Sequence, residues 1–129
     1  MLVVDAGCLF EALTGTEAGV RVSRQLALDE EHAAPHVVDV EALSVIRTYH
    51  LEGRLDETAA RQAAEDLALW PGERFAHTSL IARAWELRHN VRGWDAFYVA
   101  LAEALDATVL TLDTRLANAQ GPRCRFLVP

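Results

Sequence analysis

The chain has 129 residues, with 12 basic and 19 acidic side chains and a formal net charge of −7. All of its basic residues are arginines, and the lack of lysine excludes a P-loop, Schiff-base chemistry and a lysine general base. The length suits a single domain spanning residues 1–129. The acidic balance argues against non-specific binding of duplexes through a broad basic surface.

Short apolar segments alternate with longer amphipathic ones along the chain. Residues 2–4 form a continuous apolar run that ends in Asp5, a pattern typical of a buried parallel strand. Apolar residues at helical spacing, bounded by turn residues, predict the helices. In chain order the predicted elements are strand 2–4, helix 9–13, helix 17–30, strand 32–34, helix 35–53, helix 56–69, strand 73–76, helix 79–88, helix 94–105, strand 108–111, helix 115–119 and strand 125–128. This order predicts an α/β fold with a central, mostly parallel sheet of about five strands flanked by helices.

Nothing in the sequence predicts a membrane segment or an exported protein. No apolar run reaches the roughly 18 residues of a membrane span, and the first four residues lead directly into Asp5 without the basic region of a signal peptide. We therefore expect a cytoplasmic protein. In that compartment Cys8 and Cys124 stay reduced, and we expect both to be small, buried apolar residues.

Four acidic residues occupy positions that allow more than one interpretation. Asp5 and Asp113 follow predicted strands and precede helices, where aspartate often caps a helix. Asp95 lies in a first helical turn, where the helix dipole favours a carboxylate. Glu41 differs, because three of its four neighbours at helical spacing are valines. A carboxylate on an apolar face needs a partner or a metal ion, and Arg47, six residues further on, lies on another face.

Sheet topology offers a way to bring these acids together. In open parallel sheets, ligands bind at the carboxyl ends of the strands where the winding direction reverses. If strands 2–4 and 108–111 are neighbours, Asp5 and Asp113 converge there, and helices that start nearby can deliver Glu41 and Asp95. Carboxylates about 4 Å apart repel by about 4 kcal/mol at an effective dielectric constant of about 20. Mg²⁺ or Mn²⁺ would offset that repulsion, because these cations prefer oxygen ligands.

Other catalytic patterns are missing from the sequence. The five histidines lack the spacing of a zinc site, and neither a GxSxG elbow nor a GxGxxG loop occurs. We interpret the three tryptophans as core or rim aromatics rather than as base-stacking platforms. A receiver-like phosphoacceptor domain requires a lysine, and a phosphatase of the haloacid dehalogenase type requires Asp-x-Asp where this chain has Asp5-Ala6-Gly7.

Four segments together resemble the signature regions of PIN-domain ribonucleases, and more closely those of the VapC-type toxins of bacterial toxin–antitoxin modules. The resemblance spans essentially the whole chain, and its most specific part is the order and spacing of the acids in the last two segments. The segments are Val3-Val4-Asp5, the helix carrying Glu41 after Pro35, the run from Trp94 to Glu103, and the run from Leu110 to Leu116. The resemblance implies a PIN-like three-layer sandwich.

The resemblance also implies roles for particular residues. It makes Asp5, Glu41, Asp95 and Asp113 the catalytic, metal-binding set. Thr111 matches a threonine that braces the last carboxylate by hydrogen bonding. Arg115 and Arg88 match positions where the toxins often carry arginine, and a role in contacting the substrate phosphates is implied for them. The chain departs from the family pattern at Gly7, where serine or asparagine is usual, and at Trp94, where tyrosine is common.

The activity implied by the resemblance is hydrolysis of RNA phosphodiester bonds by water activated with one or two Mg²⁺ or Mn²⁺ ions. The implied partners are the RNA substrate, a cognate antitoxin protein that covers the acidic groove, and a second copy of the chain in a homodimer. One alternative from a different class remains open. In it, the chain is a catalytically silent PIN-like binding or scaffold protein whose acids hold a metal ion for stability only.

Overall fold

The computed structural model describes all of residues 1–129, in which five short strands alternate with seven helices. In chain order the elements are β1 (Leu2–Val4), α1 (Ala6–Thr14), α2 (Glu17–Leu26), β2 (His32–Pro35), α3 (Val37–Leu51), α4 (Glu57–Leu69), β3 (Glu73–Phe75), α5 (Ile81–Glu86), α6 (Gly93–Leu105), β4 (Thr108–Leu110), α7 (Thr114–Ala117) and β5 (Arg125–Leu127). A 3₁₀ turn, Thr78–Leu80, precedes α5. None of the helices is long and apolar enough to cross a membrane.

The five strands form one parallel sheet in the order β3-β2-β1-β4-β5. Leu2 of β1 pairs with His32 of β2 on one side and with Thr108 of β4 on the other. The chain therefore winds outward in both directions from β1, and the direction reverses between β1 and β4. This arrangement confirms the predicted α/β fold, and the first and fourth strands are neighbours, which is the condition under which Asp5 and Asp113 were expected to converge.

The two central strands are the most deeply buried part of the fold. Val3, Val4, Val109 and Leu110 are fully buried, which explains why β1 and β4 are continuous apolar runs rather than alternating ones. Helices α1 to α4 pack against one another, while α6 packs against β1, β2 and β4. A core of 26 buried residues joins these layers, and a smaller apolar cluster lies around α5, α6 and α7.

Helices α1 and α2 approach each other unusually closely at Gly19. A Cβ atom on Gly19 would lie 1.9 Å from the backbone oxygen of Glu11, so this contact requires a residue without a side chain. The turn between the two helices also has a local cause. Gly15 adopts φ 67°, and Thr16 caps α2 by accepting a hydrogen bond from the Gly19 amide at 2.9 Å.

Several predicted element boundaries were wrong by a few residues. Helix α1 begins at Ala6 rather than at residue 9, because Asp5 caps it directly after β1. Helix α2 ends at Leu26 rather than at residue 30. Beyond it, the Asp29 carboxylate accepts a hydrogen bond from the Glu31 amide at 3.0 Å and pairs with the terminal amine at 2.9 Å. The predicted helix 79–88 is the 3₁₀ turn followed by the short α5, and residues 87–90 form turns.

The cysteines and tryptophans differ in how well they match the sequence analysis. Cys8 is buried, whereas Cys124 is only half-buried because it lies beside the edge strand β5. Trp70 belongs to the core, but Trp85 and Trp94 are 67% and 62% exposed. These two tryptophans are therefore exposed surface residues rather than core residues.

Candidate active site

The carboxyl ends of β1 and β4 bring Asp5 and Asp113 to the same edge of the sheet. Asp5 directly follows β1, and its backbone amide donates a hydrogen bond to the carbonyl of Leu110, the last residue of β4, at 3.1 Å. Asp113 lies three residues beyond that strand. The two side chains are close enough for the charge of Asp113 to raise the pKa of Asp5. The predicted convergence at the point where the winding reverses is thus present.

Asp5 is held by the start of α1. Its Oδ1 accepts a hydrogen bond from the amide of Cys8 at 2.7 Å, which caps α1. Burial raises the pKa of Asp5, while hydrogen bonds from Thr111 and Cys8 act in the opposite direction. Burial makes the charged form of Asp5 costly, and a bound cation would offset that cost.

Thr111 lies between the two aspartates and is fully buried. Its Oγ1 accepts a hydrogen bond from the backbone amide of Asp113 at 3.0 Å, and its hydroxyl also forms a hydrogen bond with the Asp5 side chain. The resemblance implies that Thr111 braces the Asp113 carboxylate. In the structure Thr111 instead contacts the Asp113 backbone, and its hydroxyl lowers the pKa of Asp5.

Asp113 is held in place by the start of α7. Its Oδ1 accepts hydrogen bonds from the amides of Arg115 at 2.8 Å and Leu116 at 3.3 Å. Burial alone would raise the pKa of Asp113, but these amide hydrogen bonds and nearby arginine charges outweigh it and lower that pKa. Asp113 therefore keeps its negative charge to a lower pH than an ordinary aspartate does.

Glu41 has the partner that its apolar surroundings require. The hydroxyl of Tyr98, on α6, donates a hydrogen bond to Glu41 Oε1 at 2.9 Å. Tyr98 is only 1% exposed, so its hydroxyl lies inside the protein and points at the carboxylate. Burial raises the pKa of Glu41, the Tyr98 hydrogen bond lowers it, and the charges of Asp95 and Asp5 raise it further.

Tyr98 is a site residue that the sequence analysis missed. A signal for it was present, because it lies one turn after Asp95 in an otherwise apolar stretch of α6. A buried tyrosine hydroxyl usually has a hydrogen-bond partner. The missing information was the tertiary packing that brings Tyr98 on α6 within hydrogen-bond distance of Glu41 on α3.

Asp95 lies in the first turn of α6 and faces the other acids. Burial raises its pKa, the charge of Arg92 lowers it, and the charges of Asp5 and Asp113 raise it. Each of the four predicted acids is therefore electrostatically coupled to at least two of the others. Asp95 and Asp113 line a shallow groove of about 180 Å³, together with Asn90, Val91, Arg92, Arg115 and Leu116.

Three arginines near the acids have different environments. Arg92 contacts both Asp113 and Asp95, at 3.3 and 3.7 Å, and the sequence analysis did not single it out. Arg115 is exposed, with its Nε 3.7 Å from Asp113. Arg88 lies outside the acid groove. Its guanidinium stacks over the ring of Trp85 and donates a hydrogen bond to the Trp85 carbonyl at 2.9 Å.

The donor set fits a hard divalent cation, because every candidate ligand is a carboxylate oxygen. The carboxylates are not gathered into a closed shell, however. No three histidine, cysteine, aspartate or glutamate side chains are grouped closely enough to hold a metal ion as they stand. Two of the acids are instead bridged by the Arg92 guanidinium. The group therefore fits a divalent cation in the chemistry of its oxygen ligands.

Comparison with known proteins agrees with this geometry. The family model described as "PIN domain" matches residues 2–122. The chain is 42% identical over 125 residues to Ribonuclease VapC1 of Mycobacterium tuberculosis, covering 96% of this chain and 94% of that protein. The chain belongs to the VapC ribonucleases of the PIN-domain family. Ribonuclease VapC9 of the same organism is 35% identical over 128 residues, covering 99% of this PIN domain and 98% of its relative.

Solved structures support the PIN fold. PAE2754 from Pyrobaculum aerophilum matches with a TM-score of 0.70 at 20% identity, over 97% of this chain and 81% of that one. FitAB bound to an IR36 DNA fragment matches with a TM-score of 0.72 at 15% identity, over 100% of this chain and 95% of that one. VapBC2 from Rickettsia felis, bound to a promoter DNA fragment, matches with a TM-score of 0.69 at 15% identity, over 98% of this chain and 97% of that one.

Proposed function

We propose that this PIN domain is an endoribonuclease that depends on Mg²⁺ or Mn²⁺ and acts as the toxin of a type II toxin–antitoxin module. One observation carries the proposal. Four carboxylates, those of Asp5, Glu41, Asp95 and Asp113, converge at one edge of the sheet in a chain that is 42% identical to a VapC ribonuclease. Clustering like charges costs free energy, and a bound divalent cation would offset that cost.

In this proposal the four acids hold one or two divalent cations, which supply Lewis-acid charge and lower the pKa of water for phosphodiester hydrolysis. Asp5 and Asp113 are the rigid members, because backbone amides at the starts of α1 and α7 hold one oxygen of each. Glu41 is oriented by the Tyr98 hydroxyl. None of the four carboxylates needs to act as a covalent nucleophile.

The proposed contact to the substrate phosphate is Arg115. Its guanidinium is exposed beside Asp113, and arginine binds phosphate through a planar set of donors. Arg88 is a weaker candidate, because Trp85 holds it away from the acids. Any contact between Arg88 and RNA would involve nucleotides outside the acid groove.

The proposed partners are a cognate antitoxin and a second copy of the chain. We place the protein and both partners in the cytoplasm. The titles of structural neighbours name two-component complexes, FitAB and VapBC2, which supports an antitoxin. Exposed apolar side chains on α3 and α4, among them Val40 and Leu69, supply apolar surface for such a partner. The exposed side chains of Ile81, Trp85 and Trp94 supply a second apolar surface, which supports a homodimer.

A nuclease assay combined with metal binding tests the proposal. Purified protein incubated with RNA and Mn²⁺ should cleave the RNA, EDTA should stop the cleavage, and Asp5→Asn and Glu41→Gln should abolish it. Glu65→Gln, an exposed residue of α4, is the matched control and should retain wild-type activity.

The same experiment separates the enzyme from the alternative function. If Mn²⁺ raises the melting temperature but no RNA is cleaved under any tested condition, the chain is a metal-binding scaffold and the ribonuclease proposal is wrong. If Mn²⁺ affects neither melting nor cleavage, both functions are excluded.

A further inference from the structure

Arg92 bridges two of the four acids. Its Nη2 donates a hydrogen bond to Asp113 Oδ2 at 3.3 Å, and its Nε lies 3.7 Å from Asp95 Oδ2. Arg115 also lies near the acids, but it pairs with Asp113 alone. The Arg92 guanidinium therefore contacts the same carboxylate oxygens that the proposed function assigns to a divalent cation.

The Arg92 guanidinium and a divalent cation would repel each other if both contacted the carboxylate oxygens of Asp95 and Asp113. A guanidinium is charged at every accessible pH, so deprotonation cannot remove it from the acids. Its contact with them is nevertheless easily broken, because the Arg92 side chain is 73% exposed and exposed ion pairs contribute little to stability. A divalent cation carries twice the charge and would displace the guanidinium from Asp95 and Asp113 rather than bind beside it.

The backbone around Arg92 allows the side chain to move while its Cα stays fixed. Arg92 is the residue that precedes α6, and it makes no side-chain cap there. Gly93 follows it and has open space on its Cβ side. Arg92 lines the acid groove and also a neighbouring apolar hollow formed by residues such as Ile81 and Trp85. Rotation about its side-chain bonds is therefore enough to carry the guanidinium away from the acids.

We propose that Arg92 is a displaceable cation of the active site. It offsets part of the negative charge of Asp95 and Asp113 until a divalent cation takes their oxygens, and the released guanidinium then contacts a phosphate of the RNA at the mouth of the groove. This inference rests on the proposed function for the RNA step. The competition with a divalent cation rests on the metal site of the proposed function and on the observed contacts of Arg92 with Asp95 and Asp113.

A structural ion pair and a displaceable cation predict opposite effects on metal binding. If Arg92 only held the acids in place, Arg92→Gln would weaken the binding of Mn²⁺. If it competes for the acids, Arg92→Gln should bind Mn²⁺ about three- to tenfold more tightly, as expected for the loss of one exposed charge contact with each of two carboxylates. Titration of the purified protein with Mn²⁺, followed by the EPR signal of the free ion, measures this without RNA.

The second measurement is RNA cleavage at saturating Mn²⁺. At saturating Mn²⁺ the cation occupies the acids whether or not Arg92 is present. Loss of the released guanidinium should then lower kcat/KM for Arg92→Gln by about tenfold. Arg92→Lys keeps the charge but not the planar donors, so its Mn²⁺ affinity should stay near that of the wild type. Its kcat/KM should lie between those of the wild type and the glutamine variant.

Arg61→Gln is the matched control. Arg61 is an exposed arginine on α4 that lies 3.3 Å from a carboxylate of Glu57, so its loss removes a similar ion pair outside the site. It should leave both measurements unchanged. If Arg92→Gln binds Mn²⁺ no more tightly than the wild type, or if neither protein binds it, Arg92 is not a displaceable cation.

The proposed contact between Arg92 and an RNA phosphate can be refuted separately from the proposed ribonuclease function. If Arg92→Gln binds Mn²⁺ more tightly but keeps the wild-type kcat/KM, the phosphate contact is refuted. If the wild type binds Mn²⁺ and cleaves no RNA, the proposed ribonuclease function fails and the phosphate contact fails with it. The competition between Arg92 and the cation is then decided by the Mn²⁺ titration alone.

Discussion

Replacing Tyr98 by phenylalanine removes a single oxygen atom from the core and tests how Glu41 is held. The ring of Tyr98 is buried in α6 and would remain in place, while Glu41 Oε1 would lose the hydroxyl that donates to it at 2.9 Å. Hydrogen bonds to charged groups contribute about 1.5–3 kcal/mol. Because Glu41 is only half-buried, water can replace part of this bond, and we expect a loss of about 1 kcal/mol of unfolding free energy in EDTA.

The larger effect should be on metal binding. Residues that orient a ligand typically change metal affinity by about 10- to 100-fold when they are mutated. We therefore expect Tyr98→Phe to bind Mn²⁺ at least about tenfold more weakly than the wild type. Isothermal titration with Mn²⁺ measures the affinity, and urea unfolding in EDTA measures the stability separately.

Two comparisons make the Tyr98 experiment decisive. Tyr49 lies two turns beyond Glu41 on α3 and packs against Phe10, so Tyr49→Phe should bind Mn²⁺ as the wild type does. In a Glu41→Gln background, Tyr98→Phe should have no further effect on Mn²⁺ affinity, because the ligand it orients is already lost. An unchanged affinity in Tyr98→Phe, or an equal loss in both backgrounds, would refute the positioning role.

Two further predictions concern stability. Burial raises the pKa of Asp5 above its ordinary value of 3.8, so the folded protein loses stability as pH rises from that value through the raised one. Asp5→Asn keeps a capping oxygen but has no charge to bury, so in EDTA it should melt at a higher temperature than the wild type at pH 7. The gain should disappear below the ordinary pKa, and a gain that is constant with pH would contradict this explanation. Gly19→Ala should destabilise the fold by more than about 2 kcal/mol, because its Cβ would lie 1.9 Å from the Glu11 carbonyl oxygen. Gly93→Ala, which has free space, should be neutral or slightly stabilising in the same urea unfolding measurement.

The sequence predicted the fold class well because its local patterns are strong. The apolar run before Asp5 and the β-branched run before Asp113 could be identified as strands without any tertiary information. That β1 and β4 are neighbours was only a condition in the sequence argument. It depends on pairing between Leu2 and Thr108, which are far apart in the chain, and local periodicity carries no information about such pairing.

The same limit explains what was missed in the site. The sequence showed that Glu41 needs a partner, but that partner is Tyr98, 57 residues away on another helix. The contacts of Arg92 likewise depend on how the turns after α5 present its side chain to the acids. Arg88 is a different case. Its stacking on Trp85 joins residues three apart, and that spacing was visible in the sequence.

The net charge of −7 and the proposed binding of RNA are compatible once the charges are located. The four site acids account for four of the seven excess negative charges, and bound divalent cations would reverse the sign at that place. With no lysine in the chain, the side chains that are charged at every accessible pH and can contact a phosphate are all arginines. Arg92 and Arg115 already lie at the mouth of the groove. Contact with RNA therefore depends on the cations in one groove and a few arginines beside it, rather than on a basic surface.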